Sequence, residues 1–420
     1  YRGVMKFEKY HISEEIKKNL AILGFKRPTD IQFKSIPSIM KGEDVLAIAQ
    51  TGTGKTAAFA IPLIDKIHRG KSSKRDTGIK GLVMVPTREL ATQIGEVFTS
   101  IAKHTNVKIF ALIGGIEQDA QLKKLQDGID VLITTPGRMF DLIHQGYISL
   151  ARVDTLVLDE ADHMLDLGFI KDIQYVKKML TRKHQTLFFS ATINPEIKKL
   201  AFSQVKSTAI RIQISPDDPV SANVSHAVIF VEMDDKRFFL ESFIRENPDS
   251  KIIIFVRTRV RAERVAKAME RVAIPSITIH GEKDQGERSE AMKKFKDGDC
   301  RILIATDVSA RGIDIPDVNY VINYDLPEKA ENYVHRVGRT GRGVNKGLAI
   351  SFCSEDEKER LNEIQQLLNK EIDVIKLGKK GYARTMDIAK KNTDKDVQAL
   401  IADNEDWLKT KKKKNTKKSK

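Results

Sequence analysis

The segment AQTGTGKT, Ala49 to Thr56, joins an apolar run typical of a strand to a stretch with helical character. Glycines let such a backbone curl until successive N–H groups point at phosphate oxygens. Lys55 adds a mobile cation for the β- and γ-phosphates, and Thr56 adds a hydroxyl ligand for Mg²⁺. Glycine-rich turns before helices also arise for packing reasons, so a second feature is needed to decide for a nucleotide site.

That second feature is TLVLDEADHM, Thr155 to Met164, in which an apolar strand pattern leads directly into three acids. Ligands of open α/β sheets bind beyond the carboxyl ends of strands, where this segment would deliver its carboxylates. Asp159 could hold Mg²⁺, and Glu160 could orient and deprotonate a water that attacks the γ-phosphate. An acidic helix N-terminus favoured by the helix dipole is the alternative. Because it leaves the phosphate-binding segment unexplained, the two segments together favour nucleotide hydrolysis.

Short apolar, β-branched runs recur along the chain and alternate with stretches of helical period, such as Arg259 to Val272. Their hydrophobicity is continuous, which predicts strands covered on both faces and therefore α/β domains with mostly parallel sheets flanked by helices. The runs of the first half are DVLAIAQ from Asp44, GLVMVP from Gly81, VKIFALIGG from Val107, DVLITTP from Asp130, TLVLDE from Thr155 and TLFFSAT from Thr186. Those of the second half are KIIIFVRT from Lys251, PSITIHG from Pro275, RILIATD from Arg301, NYVINYD from Asn319 and GLAISFC from Gly347.

The alternation is interrupted by QISPDDPVSAN, whose prolines and aspartates are typical of a linker. We therefore expect one α/β domain over residues 1–212, a linker over 213–223 and a second α/β domain over 224–370. After about Glu371 no further strand is expected, and a polar, lysine-rich extension covers 371–420.

The composition is that of a globular protein, with 41% hydrophobic and 31% charged residues in 420. No apolar run approaches the roughly 18 residues of a membrane-spanning helix. The first residues lack the apolar core of a secretory signal, which predicts a cytoplasmic protein without membrane partners. Cys300 and Cys353 lie far apart without metal-ligand spacing, so we expect both to be core residues.

The net charge of +15 is concentrated at the C-terminus. Lys409 to Lys420 contains eight lysines and no acid, and removing these eight charges leaves +7 for the other 408 residues. Such blocks are normally disordered and hold polyanions through counterion release. A solvated tail without a dedicated role is the alternative.

Further motifs occur in a fixed order along the chain. They are GFKRPTDIQ (Gly24 to Gln32), PTRELA (Pro86 to Ala91), Gly114 and Gly115, TPGR (Thr135 to Arg138), SAT (Ser190 to Thr192), IIIFVRT, ATDVSARGID (Ala305 to Asp314) and HRVGRTGR (His335 to Arg342). With AQTGTGKT and DEAD, this set strongly resembles the DEAD-box ATP-dependent RNA helicases, most closely the bacterial RhlE-like group. The resemblance covers roughly Phe7 to Ile375 and implies two tandem RecA-like domains followed by a basic C-terminal extension.

The resemblance implies an adenine pocket with ATP and Mg²⁺ as cofactors. Phe25 would stack on the base, Phe7 would be the upstream aromatic, and Gln32 would pair with the N6/N7 edge and so select adenine. A helix C-cap followed by a core aromatic is the alternative for Gly24 and Phe25. The nucleotide contacts of the phosphate loop would be Ala49, Gln50, Thr51, Gly52, Thr53, Gly54, Lys55 and Thr56, with Thr56 and Asp159 as metal ligands.

The second domain would complete the same reaction. Arg339 and Arg342 resemble the family's arginine fingers, which neutralise charge on the transferring phosphoryl group, so they join Lys55, Asp159 and Glu160 as catalytic residues. Gly312 and Asp314 match positions near the ribose. A solvated basic helix face is the alternative for the arginines at 336, 339 and 342.

Coupling between nucleotide and RNA is expected from Asp162, Ser190, Thr192 and His335, of which Ser190 and Thr192 would bond to Asp162. An ordinary turn at the end of a strand is the alternative for these two hydroxyls. RNA would be held by its backbone, without sequence specificity, at positions matching the family's contacts. These are Arg88, Gly115, Thr135, Arg138, Arg257 and Thr306.

The resemblance implies RNA-stimulated ATP hydrolysis coupled to domain closure and to local, non-processive separation of short or structured RNA duplexes. One alternative is an ATP-gated RNA clamp or remodelling factor that unwinds little. Another is a DNA-directed translocase, against which the wording of the motifs argues.

Overall fold

The computed structural model describes residues 6–50, 52–71, 78–214, 220, 223–310, 315, 317–341, 346–376, 382 and 385, without the side chains of 308 and 310. The chain divides into two compact units with their boundary between Pro219 and Val220. The described residues of each unit form a seven-stranded sheet in which every pair is parallel. This confirms the predicted fold class of two parallel α/β domains.

The sheet of the first unit has the order β3-β4-β2-β5-β6-β1-β7. Its strands are β1 Val45–Ala49, β2 Gly81–Met84, β3 Ile109–Leu112, β4 Val131–Thr134, β5 Thr155–Leu158, β6 Gln185–Ser190 and β7 Ile210–Ile214. Its helices are α1 Glu14–Ile22, α2 Asp30–Met40, α3 Lys55–Gly70, α4 Arg88–Ala102, α5 Gln118–Gln126, α6 Pro136–His144, α7 Ala161–Asp166, α8 Ile170–Met179 and α9 Pro195–Gln204, after a 3₁₀ turn at Phe7–Lys9.

Two apolar clusters cover the faces of this sheet. One lies under α1 to α4 and contains the rings of Phe59, Phe98 and Phe189. The rings of Phe98 and Phe189 contact that of Phe59 at a tilt, with centroids 5.9 Å and 5.2 Å from the Phe59 centroid. The other lies under α6 to α9. Strands β1, β2, β4, β5 and β6 are buried at every position. Continuous hydrophobic runs are what such doubly covered strands require.

The second unit repeats this architecture in the order β10-β11-β9-β12-β13-β8-β14. Its strands are β8 Val224–Phe230, β9 Ile252–Phe255, β10 Ile277–Ile279, β11 Ile302–Ala305, β12 Tyr320–Asn323, β13 Gly347–Cys353 and β14 Asp373–Val374. Its helices are α10 Lys236–Glu246, α11 Arg259–Arg271, α12 Gln285–Asp297, α13 Asp307–Ala310, α14 Ala330–Val337 and α15 Lys358–Leu368, the last preceded by a 3₁₀ turn at Glu355–Glu357.

Three strands depart from the expectations. The sequence indicated neither β7 nor β8, and β7 carries Gln213 and Ile214 of the expected linker, paired with Ile48 and Ala49 of β1. The expectation that strands stop after about Glu371 is wrong, because Asp373–Val374 pairs with β8. β7 alternates between exposed and less exposed positions, β8 has an exposed polar residue, Ser225, and an exposed end at Phe230, and both residues of β14 are exposed. They form because a neighbouring strand presents backbone groups that need partners.

Cys300 and Cys353 are free and buried, which confirms them as core residues. Among the helices that the structure describes, none is long and apolar enough to cross a bilayer. The lysine-rich tail and most of the expected linker lie outside the described residues.

Candidate active site

The phosphate loop of the first unit connects β1 to α3. Gly52 and Gly54 have φ values of 83° and 91°, which only glycine adopts without strain. Thr53 Oγ1 donates to the Gln50 carbonyl at 2.7 Å and closes the turn. Lys55 is the first residue of α3, so the loop ends at a helix N-terminus, where backbone N–H groups lack partners and attract anions.

Gln32 connects this loop to the segment that precedes it in sequence. Its Oε1 accepts from Thr29 N at 2.9 Å in a capping box at the start of α2, and its Nε2 donates to the Gly54 carbonyl at 3.1 Å. The side chain is buried. The side-chain oxygen and the side-chain NH₂ group of Gln32 can each form one more hydrogen bond. Gln32 could therefore bind a base while it holds the loop.

Phe25 follows a helix terminus built on Gly24. Gly24 has φ 79°, its N–H donates to Ala21 O, and Phe25 N donates to Leu20 O at 2.8 Å, the bonds of a Schellman C-cap for α1. The capping alternative is therefore correct for Gly24. Phe25 is half-buried and packs against the apolar cluster under α1 to α4.

Phe7 is buried, with its ring edge-on to that of Phe25 at a centroid distance of 6.1 Å. We interpret Phe7 as packing behind Phe25 rather than as a second exposed stacking surface. Any contribution to base binding would then act through the orientation of Phe25.

Asp159 and Lys55 meet at the carboxyl ends of β5 and β1. Lys55 Nζ lies 3.9 Å from Asp159 Oδ1, is buried and has no hydrogen-bond partner among the described residues. Burial raises the pKa of Asp159 to about 6, against the opposing effect of Lys55. A buried ammonium and a buried carboxylate without a hydrogen bond between them suit an external phosphate and an external cation, respectively.

Glu160 has a left-handed backbone with φ 52° and ψ 50° and is the N-cap of α7. A non-glycine residue in this region stores strain of about 1–3 kcal/mol, which is common at functional sites. Its amide donates to Asp159 Oδ1 at 3.0 Å, and His163 Nδ1 lies 3.5 Å from its Oε2. The strained turn keeps the two carboxylates adjacent at one edge of the sheet.

Asp162 connects α7 to the segment after β6. Its Oδ2 accepts from Thr192 Oγ1 and Thr192 N at 3.0 Å and from Ala191 N at 3.2 Å. The prediction that Ser190 also bonds to Asp162 is wrong. Ser190 is fully buried as the last residue of β6, and its hydroxyl has no hydrogen-bond partner among the described residues.

The candidate RNA-binding residues of the first unit lie at the same edge of the sheet, after β2, β3 and β4. Arg88 is the first residue of α4, and a Cβ on Gly114 would lie 3.2 Å from its Nη2. Gly115 is exposed with φ 77°. The absence of a side chain at Gly114 thus allows the guanidinium of Arg88 to lie against the backbone there.

Thr135 is the buried N-cap residue of α6, and Arg138 is half-buried in its first turn. Arg138 Nη1 donates to Gln118 Oε1 at 3.3 Å, and Gln118 Nε2 donates to Gln145 Oε1 at 3.0 Å. Gln118 therefore ties Arg138 to the C-terminal end of the same helix.

In the second unit, Arg257 follows β9 and Thr306 follows β11. Arg257 is half-buried, and its amide donates to Asp325 Oδ2 at 3.1 Å. Thr306 is half-buried, and its amide donates to the Ile279 carbonyl at 3.4 Å. Both positions are at the carboxyl edge of their sheet, as a ligand site requires.

The arginines near α14 are not a solvated face. Arg336 is 1% and Arg339 is 2% exposed, so that alternative is wrong for these two residues. Arg339 Nε donates to the carbonyl of His335, itself buried, at 3.0 Å. Arg336 forms a bidentate pair with Asp307 at 2.5 and 2.9 Å and donates to the Asp325 carbonyl at 2.6 Å.

Four candidate residues lie outside the described residues, namely Thr51, Gly312, Asp314 and Arg342. Among the described ones, sequence reasoning missed the positioning roles of Thr29, Gln118 and Arg336. The spacing of Thr29 and Gln32 is a capping-box pattern and was a usable signal. Gln118 carries no such signal, because its partners are set by tertiary packing.

A phosphate loop after β1, paired acids after β5 and a second parallel sheet define a P-loop nucleotide-binding protein of two RecA-like units. The family model DEAD/DEAH box helicase matches residues 29–200, and the model Helicase conserved C-terminal domain matches residues 235–344.

Known proteins resemble most of the chain. It is 36% identical over 369 residues to the DEAD-box ATP-dependent RNA helicase CshA of Bacillus cereus, covering 87% of this chain and 69% of that protein. It is 39% identical to the ATP-dependent RNA helicase RhlB of a Shewanella species, covering 89% and 85%. The solved structure of S. cerevisiae Dbp5 bound to RNA and ADP BeF3 superposes with a TM-score of 0.81 at 28% identity, covering 92% of this chain and 99% of that one. The chain belongs to the DEAD-box helicase family.

Proposed function

We propose that the protein is an ATP-dependent RNA helicase whose RNA-stimulated ATP hydrolysis drives domain closure and the local, non-processive separation of short RNA duplexes. The observation that carries this proposal is the arrangement of Lys55, Asp159 and Glu160 beside the glycine turn of the phosphate loop. Family membership and the RNA-bound structural neighbour support RNA as the partner.

In the proposed reaction, the loop amides and Lys55 bind the phosphates of ATP. Glu160 orients a water molecule and accepts its proton as the water oxygen attacks the γ-phosphorus and the bond to ADP breaks. Thr56 and Asp159 would hold Mg²⁺, which when bound neutralises phosphate charge. Phe25 and Gln32 bind the adenine, and Asp314, with Gly312, contributes to ribose binding.

Arg339 and Arg342 would complete the site from the second unit. A guanidinium placed against the γ-phosphoryl stabilises charge that develops in the transition state. Hydrolysis would then require closure of the two units. His335 and the Asp162–Thr192 contact would transmit this closure to the RNA-binding residues.

RNA would be held through its sugar-phosphate backbone by Arg88, Gly115, Thr135, Arg138, Arg257 and Thr306. Backbone contacts hold a strand without reading its sequence, so target choice would come from elsewhere. By family analogy, bending of one strand at α6 would break local pairing. Structured or duplex RNA is therefore the proposed substrate.

The direct test is a native-gel assay of a short RNA duplex with a single-stranded overhang, with and without ATP. Strand separation that requires ATP supports the proposal. RNA-stimulated ATPase without separation would instead favour an ATP-gated clamp, and equal stimulation by DNA oligonucleotides would favour a DNA translocase. Absence of any stimulation by RNA would refute the proposal.

Within the family we favour the RhlE-like group, on the compact layout and the LLNKEIDVI segment before the basic tail. The relatives reported above carry other names at similar identity, so this assignment depends on that segment and layout. A cytoplasmic location also stays a prediction from the sequence.

Replacing Gly54 by alanine is expected to weaken ATP binding at least tenfold. A Cβ at Gly54 would lie 2.5 Å from Gln32 Nε2 and would break the bond from Gln32 to the loop, in addition to straining a backbone with φ 91°. The measurement is the affinity for a fluorescent ATP analogue.

Gly52→Ala is the matched control for this prediction. Gly52 has φ 83°, but a Cβ there meets no atom of the described residues within 4 Å, so this variant carries backbone strain without the collision. The loss should be smaller than for Gly54→Ala, and equal losses would remove the role assigned to the Gln32 contact.

Deleting Lys409 to Lys420 is expected to weaken RNA affinity and to flatten its salt dependence. Each phosphate neutralised on a single strand contributes about −0.7 to the slope of log affinity against log salt. A tail with serine in place of its lysines controls for length. Identical salt slopes in the intact and lysine-free proteins would show that the tail does not contact RNA. ATP affinity should be the same in the intact protein, the deletion variant and the serine-substituted variant.

A further inference from the structure

Three charged side chains of the second unit are completely buried, and we call Lys236, Asp325 and Glu357 the buried charge cluster. Lys236 Nζ pairs with Glu357 Oε2, donates to the Tyr324 carbonyl at 2.8 Å and lies 4.0 Å from Asp325 Oδ1. Burying charges is costly, and apolar residues of similar volume often give equal or greater stability. The cluster therefore requires an explanation beyond stability.

Both carboxylates of the cluster reach Arg257. Asp325 Oδ2 accepts from Arg257 N at 3.1 Å and fixes the backbone where it leaves β9. Glu357 Oε1 lies 3.8 Å from Arg257 Nη2, a distance for electrostatic attraction rather than a hydrogen bond. Glu357 therefore attracts the Arg257 guanidinium but leaves its N–H donors free of a hydrogen bond to Glu357. The Arg257 side chain is 22% exposed.

Glu357 itself is held rigidly. Its Oε1 accepts from Leu326 N at 3.1 Å, and its Oε2 accepts from Ser354 N at 3.2 Å and from Ser354 Oγ at 3.1 Å. Burial acts to raise the pKa of Glu357, but the charge and hydrogen bond of Lys236, together with the hydrogen bonds from Ser354 N and Leu326 N, outweigh it, so the pKa is lowered. The carboxylate is therefore ionised at neutral pH.

Asp325 also contacts a second arginine outside the cluster. Arg261 Nε lies 3.1 Å from Asp325 Oδ1, so two carboxylates face three cations, Lys236, Arg257 and Arg261. Lys236 is fully buried, whereas the side chains of Arg257 and Arg261 are 22% and 29% exposed. Arg257 occupies the carboxyl edge of the sheet, where a polyanion would meet it.

We propose that Glu357, held by Lys236, is a positioning residue that orients Arg257 for contact with the RNA backbone before RNA binds. This inference rests on the proposed function, in which Arg257 contacts RNA. Fixing a flexible side chain in advance removes an ordering cost that binding would otherwise include.

The test is Glu357→Gln, which keeps the shape and the acceptor for Leu326 N but removes the charge. The RNA concentration for half-maximal ATPase should rise about three- to tenfold, from the same ordering cost. ATP affinity and kcat at saturating RNA should remain unchanged. If Glu357 merely competes with phosphate for Arg257, the half-maximal concentration would fall, and a fall or no change overturns the proposal.

A double-mutant cycle separates positioning from general destabilisation. In an Arg257→Ala background, Glu357→Gln should produce no further change in the half-maximal RNA concentration, since the residue it orients is gone. Additive effects would show that Glu357 acts on the fold of the unit as a whole. If Arg257→Ala alone has no effect, the RNA contact in the proposed function fails, and the inference fails with it.

Glu241→Gln is the matched control, because Glu241 is a buried carboxylate of the same unit that pairs with Arg245 at 2.9 Å. It should leave the half-maximal RNA concentration unchanged. If Glu357→Gln fails to fold, Lys236→Met combined with Glu357→Gln removes both buried charges while retaining volume. The same three- to tenfold rise is expected for that variant, and its absence overturns the proposal.

Discussion

Replacing Glu160 by glutamine is expected to lower kcat for RNA-stimulated ATP hydrolysis by about 10²- to 10⁴-fold, the usual contribution of a general base. The amide cannot accept the proton of the attacking water. It has the same shape, so the left-handed turn at φ 52° should persist and ATP affinity should change little. Single-turnover ATPase at saturating RNA, with binding of a fluorescent ATP analogue, measures both quantities.

Asp166→Asn is a suitable control, since Asp166 is an exposed acid at the end of the same helix, α7. Its turnover should be that of the native protein. A Glu160→Gln protein that hydrolyses ATP at the native rate would contradict the proposed base, whereas lost ATP binding would indicate a damaged loop.

Replacing Arg339 by alanine is expected to lower kcat about a thousandfold, the lower range for loss of an arginine finger. The transition state would lose a cation, while the phosphate loop and adenine pocket of the first unit are untouched. Arg339→Lys should recover little, because an ammonium lacks the planar array of donors that matches phosphate oxygens. The measurement is kcat together with ATP affinity.

Arg339 is buried and bonded to the His335 carbonyl, so folding must be checked separately. Thermal unfolding of the Arg339→Ala protein answers this, and Arg271→Ala, at the exposed end of α11, controls for loss of a cation in the same unit. A stable Arg339→Ala protein with native kcat would remove this residue from the catalytic set.

The strands that could be predicted from the sequence are those buried on both faces. Runs such as VLAIA in β1 and TLVL in β5 are continuous because helices cover both sides of the sheet. β7 and β8 were missed, since charged or polar residues such as Arg211, Ser225 and His226 interrupt their apolar pattern. Two-residue β14 has no pattern of its own and exists through its pairing with β8.

The candidate site divides in the same way. Gly54, Lys55, Asp159 and Glu160 were identifiable because each carries its chemistry within a short motif. Their partners were identifiable only in part, since the resemblance predicted the bond from Thr192 to Asp162 correctly and the bond from Ser190 wrongly. Nothing local distinguishes Thr192, which bonds to Asp162, from Ser190, whose hydroxyl is buried at the end of a strand.

By itself the sequence determined the fold class, the family and the residue types expected to bind a nucleotide, because backbone curvature and strand burial depend on near neighbours in the chain. Tertiary structure alone decided particular side-chain contacts, such as those of Gln32 with Gly54 and of Glu357 with Arg257. Such contacts join residues from about 20 to 100 positions apart. Their geometry depends on how helices and strands pack, which no local pattern encodes.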